Sequence, residues 1–233
     1  METGRVATSD GRLPLDSIIA AAWMRRYEPD MFLNNPAGRC CGEQLYHPEL
    51  PLEKREADGE WFWACSFAQY HPLGEQIDYW HKRFDSDEAA DRVDFDGRRG
   101  KVHISSGYYK NYRMPIVYLL IPEIRWYAVG ESDEILSLLS TIVGVGKKTG
   151  IGYGTVSEWK VEPWPVDMSC HDLNGRLMRA IPKRGGPHYT GIRPPYWHPD
   201  NAARCVLPPV GGYREIDWFA EVGLLEASDG RPN

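Results

Sequence analysis

The feature that most constrains the fold is a glycine-rich segment directly after an amphipathic helical stretch. Five glycines fall within eleven residues of this segment: Gly144, Gly146, Gly150, Gly152 and Gly154. Lys147 and Lys148 lie among them, and no acidic residue is nearby. Glycine permits positive φ and close backbone approach, so successive N–H groups can form a concave nest for phosphate oxygens. A simple reversing turn needs fewer glycines, so we interpret residues 143–154 as a phosphate-binding loop.

Two familiar phosphate-binding motifs do not fit this loop. A Walker A loop requires Ser or Thr directly after Gly-Lys, whereas Lys148 follows Lys147. The dinucleotide fingerprint would require a third glycine at Thr149, in a loop that leaves a strand and opens a helix. The order expected here is the reverse, because the loop follows a helical pattern and precedes a strand-like one.

The first half of the chain predicts a strand, a packed helix and an aromatic strand. We expect a short strand at 5–8 and a helix from Leu15 to Arg26 with Asp16 as its N-cap. Residues 32–60 show no clear periodicity and are interpreted as an irregular insertion. The aromatic run at 61–67 predicts a buried strand, and the acidic stretch at 85–96 predicts a solvated loop or short exposed helix.

The second half predicts further strands and one amphipathic helix. The runs at 101–104 and 112–127, the latter broken by Pro115 and Pro122, predict a hairpin or edge strands. Ser132 begins a helix that continues to residue 142, and a strand is expected at 155–161. These patterns together predict an α+β sheet with helices on one face.

Proline content divides the chain into two parts. Ten of its eighteen prolines follow residue 162, and helical periodicity ends there. We therefore predict a first domain at 1–163, with the insertion around 32–60. Residues 164–233 are expected to form a β-rich extension packed on that domain.

Composition narrows the class of protein further. The 42% hydrophobic and 12% aromatic content is too high for a disordered chain. Five cysteines, an odd number, suggest no disulfide framework. The start of the sequence has no apolar signal-peptide core, and the longest apolar run, Ile116 to Ile121, is too short to cross a bilayer. We expect a cytoplasmic protein with no membrane partner.

The positive charge is segregated although the formal net charge is −6. Three windows without any acid, at 97–113, 143–156 and 173–193, contain five, two and five Lys or Arg residues. Tyrosines alternate with the bases of the first window, and Tyr196 and Trp197 follow the third. Single-stranded nucleic acid is bound by this combination, because bases stack on rings while cations contact the backbone. Ordinary strand tyrosines and a solvated basic face are the alternative.

The glycine-rich segment and four others carry a family resemblance. They are Leu13–Ile19, Tyr109–Pro115, Trp126–Gly130, Gly144–Gly154 and Arg193–Trp197. The glycine loop after its helix resembles that of the RAMP superfamily of CRISPR-associated proteins, whose core is a ferredoxin-like, RRM-like RNA-recognition fold. The other segments are similar to the Cas5-like subunit of type IV systems. The resemblance covers most of the chain and is weakest at 36–60 and after 210.

The resemblance implies a non-catalytic subunit that binds the 5′ handle of a CRISPR RNA within an effector ribonucleoprotein for antiviral defence. Backbone and large subunits would be its protein partners, and contact with target DNA beside the protospacer-adjacent motif is compatible with it, although no residue indicates this contact. The glycine loop with Lys147 and Lys148 would hold RNA phosphates. The other expected RNA-binding residues are Tyr108, Tyr109, Lys110, Tyr112, Arg113 and Arg193. No cofactor and no metal are implied.

Three alternatives remain open from the residues. A metal-independent RAMP endoribonuclease would use His103, Tyr108 and Lys110 as acid, base and phosphate-binding groups. A metal site would draw on Cys40, Cys41, His47 and Cys65, although zinc ligands are usually spaced by two to four residues. A protein-interaction scaffold would use the acidic stretch and the exposed aromatic residues.

Overall fold

The fold combines helices with antiparallel sheets, as expected for the α+β class. The computed structural model describes residues 1–30, 47–85, 89, 104–107 and 109–208. The predicted features at 86–88, 90–103 and 209–233, which include most of the acidic stretch and the start of the 101–104 run, lie outside the described residues. Among the described residues, no helix is both long and apolar enough to cross a membrane.

Two helices form one side of the main core. Helix α1 spans Leu15–Tyr27 and helix α2 spans Ser132–Leu139, and both predicted helices are therefore confirmed. They pack against each other through apolar faces, with Ile19 and Leu138 fully buried in the same cluster. The predicted capping role of Asp16 is wrong: Pro14 is the N-cap, and Asp16 lies in the first turn with a buried carboxylate.

The main sheet is built around a long antiparallel hairpin. Strand β1 is Arg5–Val6, and the predicted strand at the start of the chain is thus confirmed. The next two strands in the chain, β2 (Lys54–Ala57) and β3 (Glu60–Trp63), belong to a separate sheet. Strand β4 (Gly74–Lys82) pairs along its whole length with β5 (Tyr112–Leu120).

The strand order in the main sheet is β1-β5-β4. Strand β1 reaches only Leu119 and Leu120 of β5, so β5 is paired on one side only where Pro115 lies, which suits a proline within a strand. The strand predicted within 112–127 is confirmed for Tyr112–Leu120, and its long partner is β4. Residues 101–103 of the predicted 101–104 run lie outside the described residues. Ile104, the described end of that run, lies in a bend.

The glycine-rich segment lies on the other side of β1. Ala7 and Lys147 form an antiparallel bridge, and Gly144 bridges Thr155 as the loop returns. Lys147 and, on the return, Gly154 and Thr155 therefore lie along the other edge of β1. The predicted strand at 155–161 is wrong, because its pairing stops at the single bridge of Thr155.

The predicted irregular insertion at 32–60 contains a regular hairpin at its end. Strands β2 and β3 are joined by the two residues Asp58 and Gly59, whose φ angles are +52° and +80°. Asp-Gly in this conformation is the favoured two-residue hairpin turn. The predicted strand at 61–67 is correct for its first residues only, since β3 ends at Trp63. Residues 32–46 lie outside the described residues.

The predicted β-rich extension contains a three-stranded antiparallel sheet. Its strands are β6 (Ile181–Pro182), β7 (His188–Gly191) and β8 (Ala202–Val206), in the order β6-β8-β7. Phe67 of the first part of the chain packs into the core of this sheet. The division of the chain at residue 163 remains a prediction.

A buried arginine holds this extension against the hairpin β2–β3. Arg179 is fully buried, with its guanidinium carbon 4.7 Å from the Phe62 ring centroid. Its Nη1 donates to the carbonyl oxygens of Trp63 and Cys65, and its Nη2 donates to that of Ile192 at 2.7 Å. The guanidinium therefore supplies hydrogen bonds that these backbone segments do not make with one another.

The carboxylate of Asp16 completes the same cluster. Both of its oxygens lie 2.9 Å from the hydroxyl of Tyr196, and one lies 3.7 Å from Nη2 of Arg179. Burial raises the pKa of Asp16 above its ordinary value, although Arg179 and the Tyr196 hydroxyl favour the charged form. Asp16 thus connects α1 to the extension instead of capping the helix.

Candidate nucleic-acid interface

The glycine loop is a tight reversal in which two glycines are sterically required. Gly154 has a φ of +66°, and a Cβ there would lie 1.8 Å from the carbonyl oxygen of Val145. Gly146 has a φ of +82°, and a Cβ there would lie 2.6 Å from the carbonyl oxygen of Ala7. These two glycines allow the loop to lie against β1 and against itself. Gly146 and Gly154 are therefore required for the close packing of the loop, and neither lies at its open tip.

The tip of the loop is open and is formed by residues 148–152. A Cβ added to Gly150 or Gly152 would meet no neighbouring atom within 4 Å. A single 3-10 turn spans Thr149–Ile151. Lys148, just before it, has a φ of +62°, a left-handed conformation that is uncommon for a residue with a side chain. The tip therefore combines a strained lysine with two glycines that face open space.

Half of the backbone amides of the loop donate to acceptors inside the protein. Those of Lys147 and Gly154 donate to the carbonyl oxygens of Ala7 and of Arg5 in β1, and four others donate within the segment. The amides of Lys148, Thr149 and Gly150 take part in none of the described backbone hydrogen bonds. The left-handed Lys148 followed by helical residues is a backbone sequence that forms anion-binding nests. The predicted phosphate nest is thus limited to the tip, and the whole glycine run does not contribute to it.

A buried tyrosine positions the loop over one face of the main sheet. The hydroxyl of Tyr153 donates to Oδ2 of Asp78 on β4 at 3.0 Å, and its ring lies 5.4 Å from that of Tyr118 on β5. The backbone N–H of Tyr79 and the Tyr153 hydroxyl hold the pKa of Asp78 below its usual range. Burial, followed by the hydrogen bond to Asp78, raises the pKa of Tyr153. We call the face that carries Asp78 and Tyr118 the loop face.

Aromatic and basic side chains meet on the loop face. The Lys148 ammonium lies 4.9 Å from the Trp80 ring centroid, and the Trp80 ring lies 5.6 Å from that of Tyr112 at 76°. Lys147 is exposed beside Lys148. The structure thus brings two predicted RNA-binding residues, Lys148 and Tyr112, into contact with a tryptophan that the sequence did not single out.

Arg113 lies on the opposite face of the same hairpin. It pairs with His81, and its guanidinium carbon lies 3.8 Å from the Tyr79 ring centroid. Successive residues of a strand alternate between faces, so Arg113 and Tyr112 point in opposite directions. Arg113 is therefore separated from the loop tip by the sheet.

Tyr109 and Lys110, two described residues of the first basic window, lie beyond the end of this hairpin. Tyr109 is exposed and its ring lies 5.0 Å from that of Phe84. Lys110 is exposed, with its amide bonded to the carbonyl oxygen of Gly107. Tyr108 and His103 lie outside the described residues, so the geometry of the alternative catalytic group with Lys110 stays untested.

Arg193 has a different role from the predicted RNA contact. It is only 7% exposed, and its guanidinium donates to Glu60, the Trp61 carbonyl, Asn201 and the Asp200 carbonyl at 2.8–3.0 Å. Its donors are therefore used to join the hairpin β2–β3 to the extension. We exclude Arg193 from the interface.

The third basic window loses most of its free charge for the same reason. Arg179 is buried beside Asp16, and Arg176 pairs with Asp172 at 3.2 Å. Lys183 and Arg184 are the exposed bases that remain. The segregated charge of the sequence therefore reduces chiefly to the glycine loop and the first window.

The residues considered for a metal site do not meet in the described part of the chain. His47 packs against Trp61 at 5.3 Å between ring centroids, while burial raises the pKa of the Cys65 thiol, which lies against Arg179. No cluster of three or more His, Cys, Asp or Glu side chains suited to a metal occurs among the described residues. Cys40 and Cys41 lie outside them.

Sequence reasoning missed β4 and therefore its functional candidates Asp78 and Trp80. The run from Gly74 to Lys82 contains Ile77, Tyr79 and Trp80, which favour strands. Its apolar residues fall on both faces, so the usual period-two pattern of a half-buried strand is absent. The β-propensity of the run was the one signal available.

A family model of CRISPR-associated proteins matches residues 1–208, a range that contains all the described residues. The chain belongs to the family described as CRISPR type IV associated protein Csf3, a Cas5-like type IV subunit. No curated protein matches it.

Proposed function

We propose that the protein is a non-catalytic RNA-binding subunit of a type IV CRISPR effector ribonucleoprotein. It binds the 5′ handle of the CRISPR RNA and contributes to assembly with the backbone and large subunits and to target DNA recognition. The observation that carries this proposal is the position of the loop tip. The Lys148 ammonium lies 4.9 Å from the Trp80 ring on a sheet face that also presents Tyr112, and Lys147 and the open tip amides adjoin Lys148 in the chain.

The order of elements supports an RNA-recognition fold of the ferredoxin-like type. The main sheet has the antiparallel order β1-β5-β4, and Lys147 forms an antiparallel bridge with Ala7 on the other side of β1. Helix α1 follows β1 and helix α2 follows β5. This order is compatible with the β-α-β-β-α-β arrangement of that fold, with the hairpin β2–β3 inserted after α1 and Lys147 at the position of the last strand. The loop tip that we assign to phosphates directly follows Lys147.

The way in which RNA-guided complexes recognise their targets supports a binding site made of charge and stacking surfaces. In RNA-guided complexes, base pairing reads the target sequence, so a protein subunit needs shape and charge more than base-specific hydrogen bonds. Two lysines, open amides and exposed rings provide charge and stacking surfaces. They provide no pattern of donors and acceptors specific to one base.

Salt-dependent binding of single-stranded repeat RNA tests the loop assignment. Each phosphate neutralised on a single strand contributes about 0.7 to the slope of log affinity against log salt. We expect the full-chain Lys147→Ala/Lys148→Ala variant to bind less tightly and to lose up to about 1.4 of this slope. Affinity and slope equal to those of the wild type would refute the assignment.

A charge-matched variant separates the loop from overall charge. Lys183→Ala/Arg184→Ala removes two exposed cations from the extension. We expect it to retain nearly all the affinity and slope, since these residues lie on the connection between β6 and β7, away from the tip. An equal loss in both variants would mean that RNA binding is spread over the surface and does not depend on the loop.

The absence of cleavage is part of the proposal and has its own test. Wild-type protein and a His103→Ala variant are incubated with repeat RNA, and the products are separated on a denaturing gel. Intact RNA in both reactions is expected. Cleavage by the wild type that is lost in the variant would support the endoribonuclease alternative.

A further inference from the structure

Trp80 is an unusual residue to find in the middle of an exposed strand. Strand β4 lies at the edge of the main sheet, and Trp80 is 44% exposed at its seventh residue. Tryptophan offers a large apolar ring, and its exposure to water is costly unless a partner covers it. The protein core leaves the Trp80 ring partly exposed. The residues around this ring therefore indicate which kind of ligand could cover it.

The surroundings of Trp80 are aromatic and cationic. Tyr112 meets the ring at 76°, and the Lys148 ammonium lies 4.9 Å from its centroid. Lys82, two residues further along β4, is on the same face by strand alternation. Rings beside cations are what single-stranded nucleic acid needs for stacking with simultaneous backbone contact.

The backbone conformation of Lys148 determines where its side chain lies. Its left-handed φ of +62° is a conformation that glycine would adopt more easily. A lysine there holds its side chain toward β4, while its own amide and those of the next two residues donate to no described backbone acceptor. One residue therefore connects the aromatic surface to the open amides of the tip.

Asp78, a described acid on this face, does not oppose an anionic ligand strongly. Asp78 lies on the same face as Trp80, two residues earlier. Its carboxylate already accepts hydrogen bonds from the Tyr153 hydroxyl and from the Tyr79 amide. Its charge is thus partly compensated and is used to position the loop.

From this geometry we propose that Trp80 is a base-stacking subsite for one unpaired nucleotide of single-stranded RNA. The base stacks on the indole ring beside Tyr112, and the adjoining phosphate contacts Lys148 and the tip amides. The proposal rests on the proposed RNA-binding function and adds the residue that receives a base. Because every base has an aromatic face, the subsite holds a nucleotide without selecting its identity.

The test measures affinity of the full chain for single-stranded repeat RNA at several salt concentrations. Stacking on one residue is worth about 1–3 kcal/mol by substitution, so Trp80→Leu should weaken binding about 5- to 150-fold. The salt slope should stay unchanged, because no phosphate contact is removed. Trp80→Phe, which keeps a ring, should restore most of the affinity.

A neighbouring residue provides the matched control. Tyr79 is 41% exposed on the same strand and faces the opposite side of the sheet. Tyr79→Leu should retain wild-type RNA affinity, and thermal unfolding checks that both variants fold. Equal losses in Tyr79→Leu and Trp80→Leu would overturn the subsite, because they would indicate a general effect on the strand.

The outcomes distinguish the subsite from the wider function. Absence of RNA binding by the wild type would overturn both the subsite and the proposed function. Tight RNA binding by wild type and Trp80→Leu alike would overturn the subsite alone. If Trp80→Leu kept its RNA affinity but no longer assembled with the other effector subunits, Trp80 would be a protein contact and the subsite would be wrong.

Discussion

Replacement of Arg179 by methionine removes the one cation of the buried cluster that joins helix α1, the hairpin β2–β3 and the extension. Methionine keeps an unbranched apolar side chain in the cavity, so the main change is loss of the guanidinium. The carbonyl oxygens of Cys65 and Ile192 then lose the Arg179 donor, and that of Trp63 keeps only the Cys65 amide. The carboxylate of Asp16 loses the positive charge 3.7 Å away.

The expected loss of stability follows from these groups. Breaking a buried ion pair by removing one partner costs about 3–5 kcal/mol, because the other charge remains buried. Buried carbonyls left without donors add to this cost in a non-additive way. For a chain of this size, such a loss lowers the melting temperature by roughly 6–20 °C. Circular dichroism during thermal and urea unfolding measures both quantities.

The pH dependence provides a second and more specific readout. The pKa of Asp16 is raised in the folded state, so this carboxyl binds its proton more tightly in the folded than in the unfolded protein. Its contribution to stability therefore falls as pH rises from about 4 through the raised value. Arg179 favours the ionised carboxylate, and its removal raises that pKa further. We expect the deficit of Arg179→Met to be larger at pH 7 than at pH 5.

Two comparisons make this prediction refutable. Arg184→Met removes an exposed arginine of the same basic stretch and should change the free energy of unfolding by less than about 0.5 kcal/mol. Combining Asp16→Asn with Arg179→Met should cost less than the sum of the single changes, by about 0.5–3 kcal/mol. A deficit below about 1 kcal/mol at pH 7 for Arg179→Met, or full additivity in the double variant, would show that the cluster does not join these elements.

The loop supports three further predictions. Lys148→Gly should weaken RNA binding. Its free energy of unfolding should stay within about 1 kcal/mol of wild type, because relief of the left-handed conformation offsets the lost contact with the Trp80 ring. RNA affinity equal to that of the wild type would contradict this prediction. Gly154→Ala should cost at least about 2 kcal/mol in urea unfolding, whereas Gly150→Ala, with no backbone nearby, should be close to neutral. Tyr153→Phe should speed hydrogen exchange of the loop amides. It should also make stability fall less steeply below pH 4, because the lowered pKa of Asp78 stabilises the fold above that range and loses its effect as the carboxyl protonates.

The helices and the fold class could be predicted because their signals are local. Ile135 and Leu138 recur at helical spacing and are buried together as that spacing requires. The two-residue turn Asp58-Gly59 is equally local, and its Asp-Gly signature indicates a hairpin where the sequence analysis expected irregular chain. That error came from the missing hydrophobic alternation in the exposed strand β2.

The roles of the arginines could not be predicted, since they depend on distant parts of the chain. Arg179 and Arg193 have the same residue type and similar basic neighbours as the exposed Arg184. Their burial depends on carbonyls and carboxylates contributed by α1 and by the hairpin β2–β3. No periodicity or spacing carries that information. The charge of a sequence window therefore overstates the charge available to a ligand.

The site was predicted in outline and corrected in detail. Lys147 and Lys148 lie at a loop as expected, and three consecutive amides at its tip donate to no described backbone acceptor. Trp80 was missed because β4 has apolar residues on both faces and shows no clear pattern. An exposed ring beside a cation is recognised only once pairing places the two residues together.

The central position of β1 has a consequence for synthesis of the protein. Its short strand pairs with Leu120 through Arg5, and the adjacent Ala7 pairs with Lys147. The amide of Glu2 also donates to the carbonyl oxygen of Thr155. Residues 2–7 therefore form these contacts with residues that are made more than a hundred positions later, and contacts so distant in sequence slow folding. Until the glycine loop has been synthesised, the nascent chain exposes an incomplete sheet edge. Chaperones would have to protect the nascent chain from aggregation at this stage.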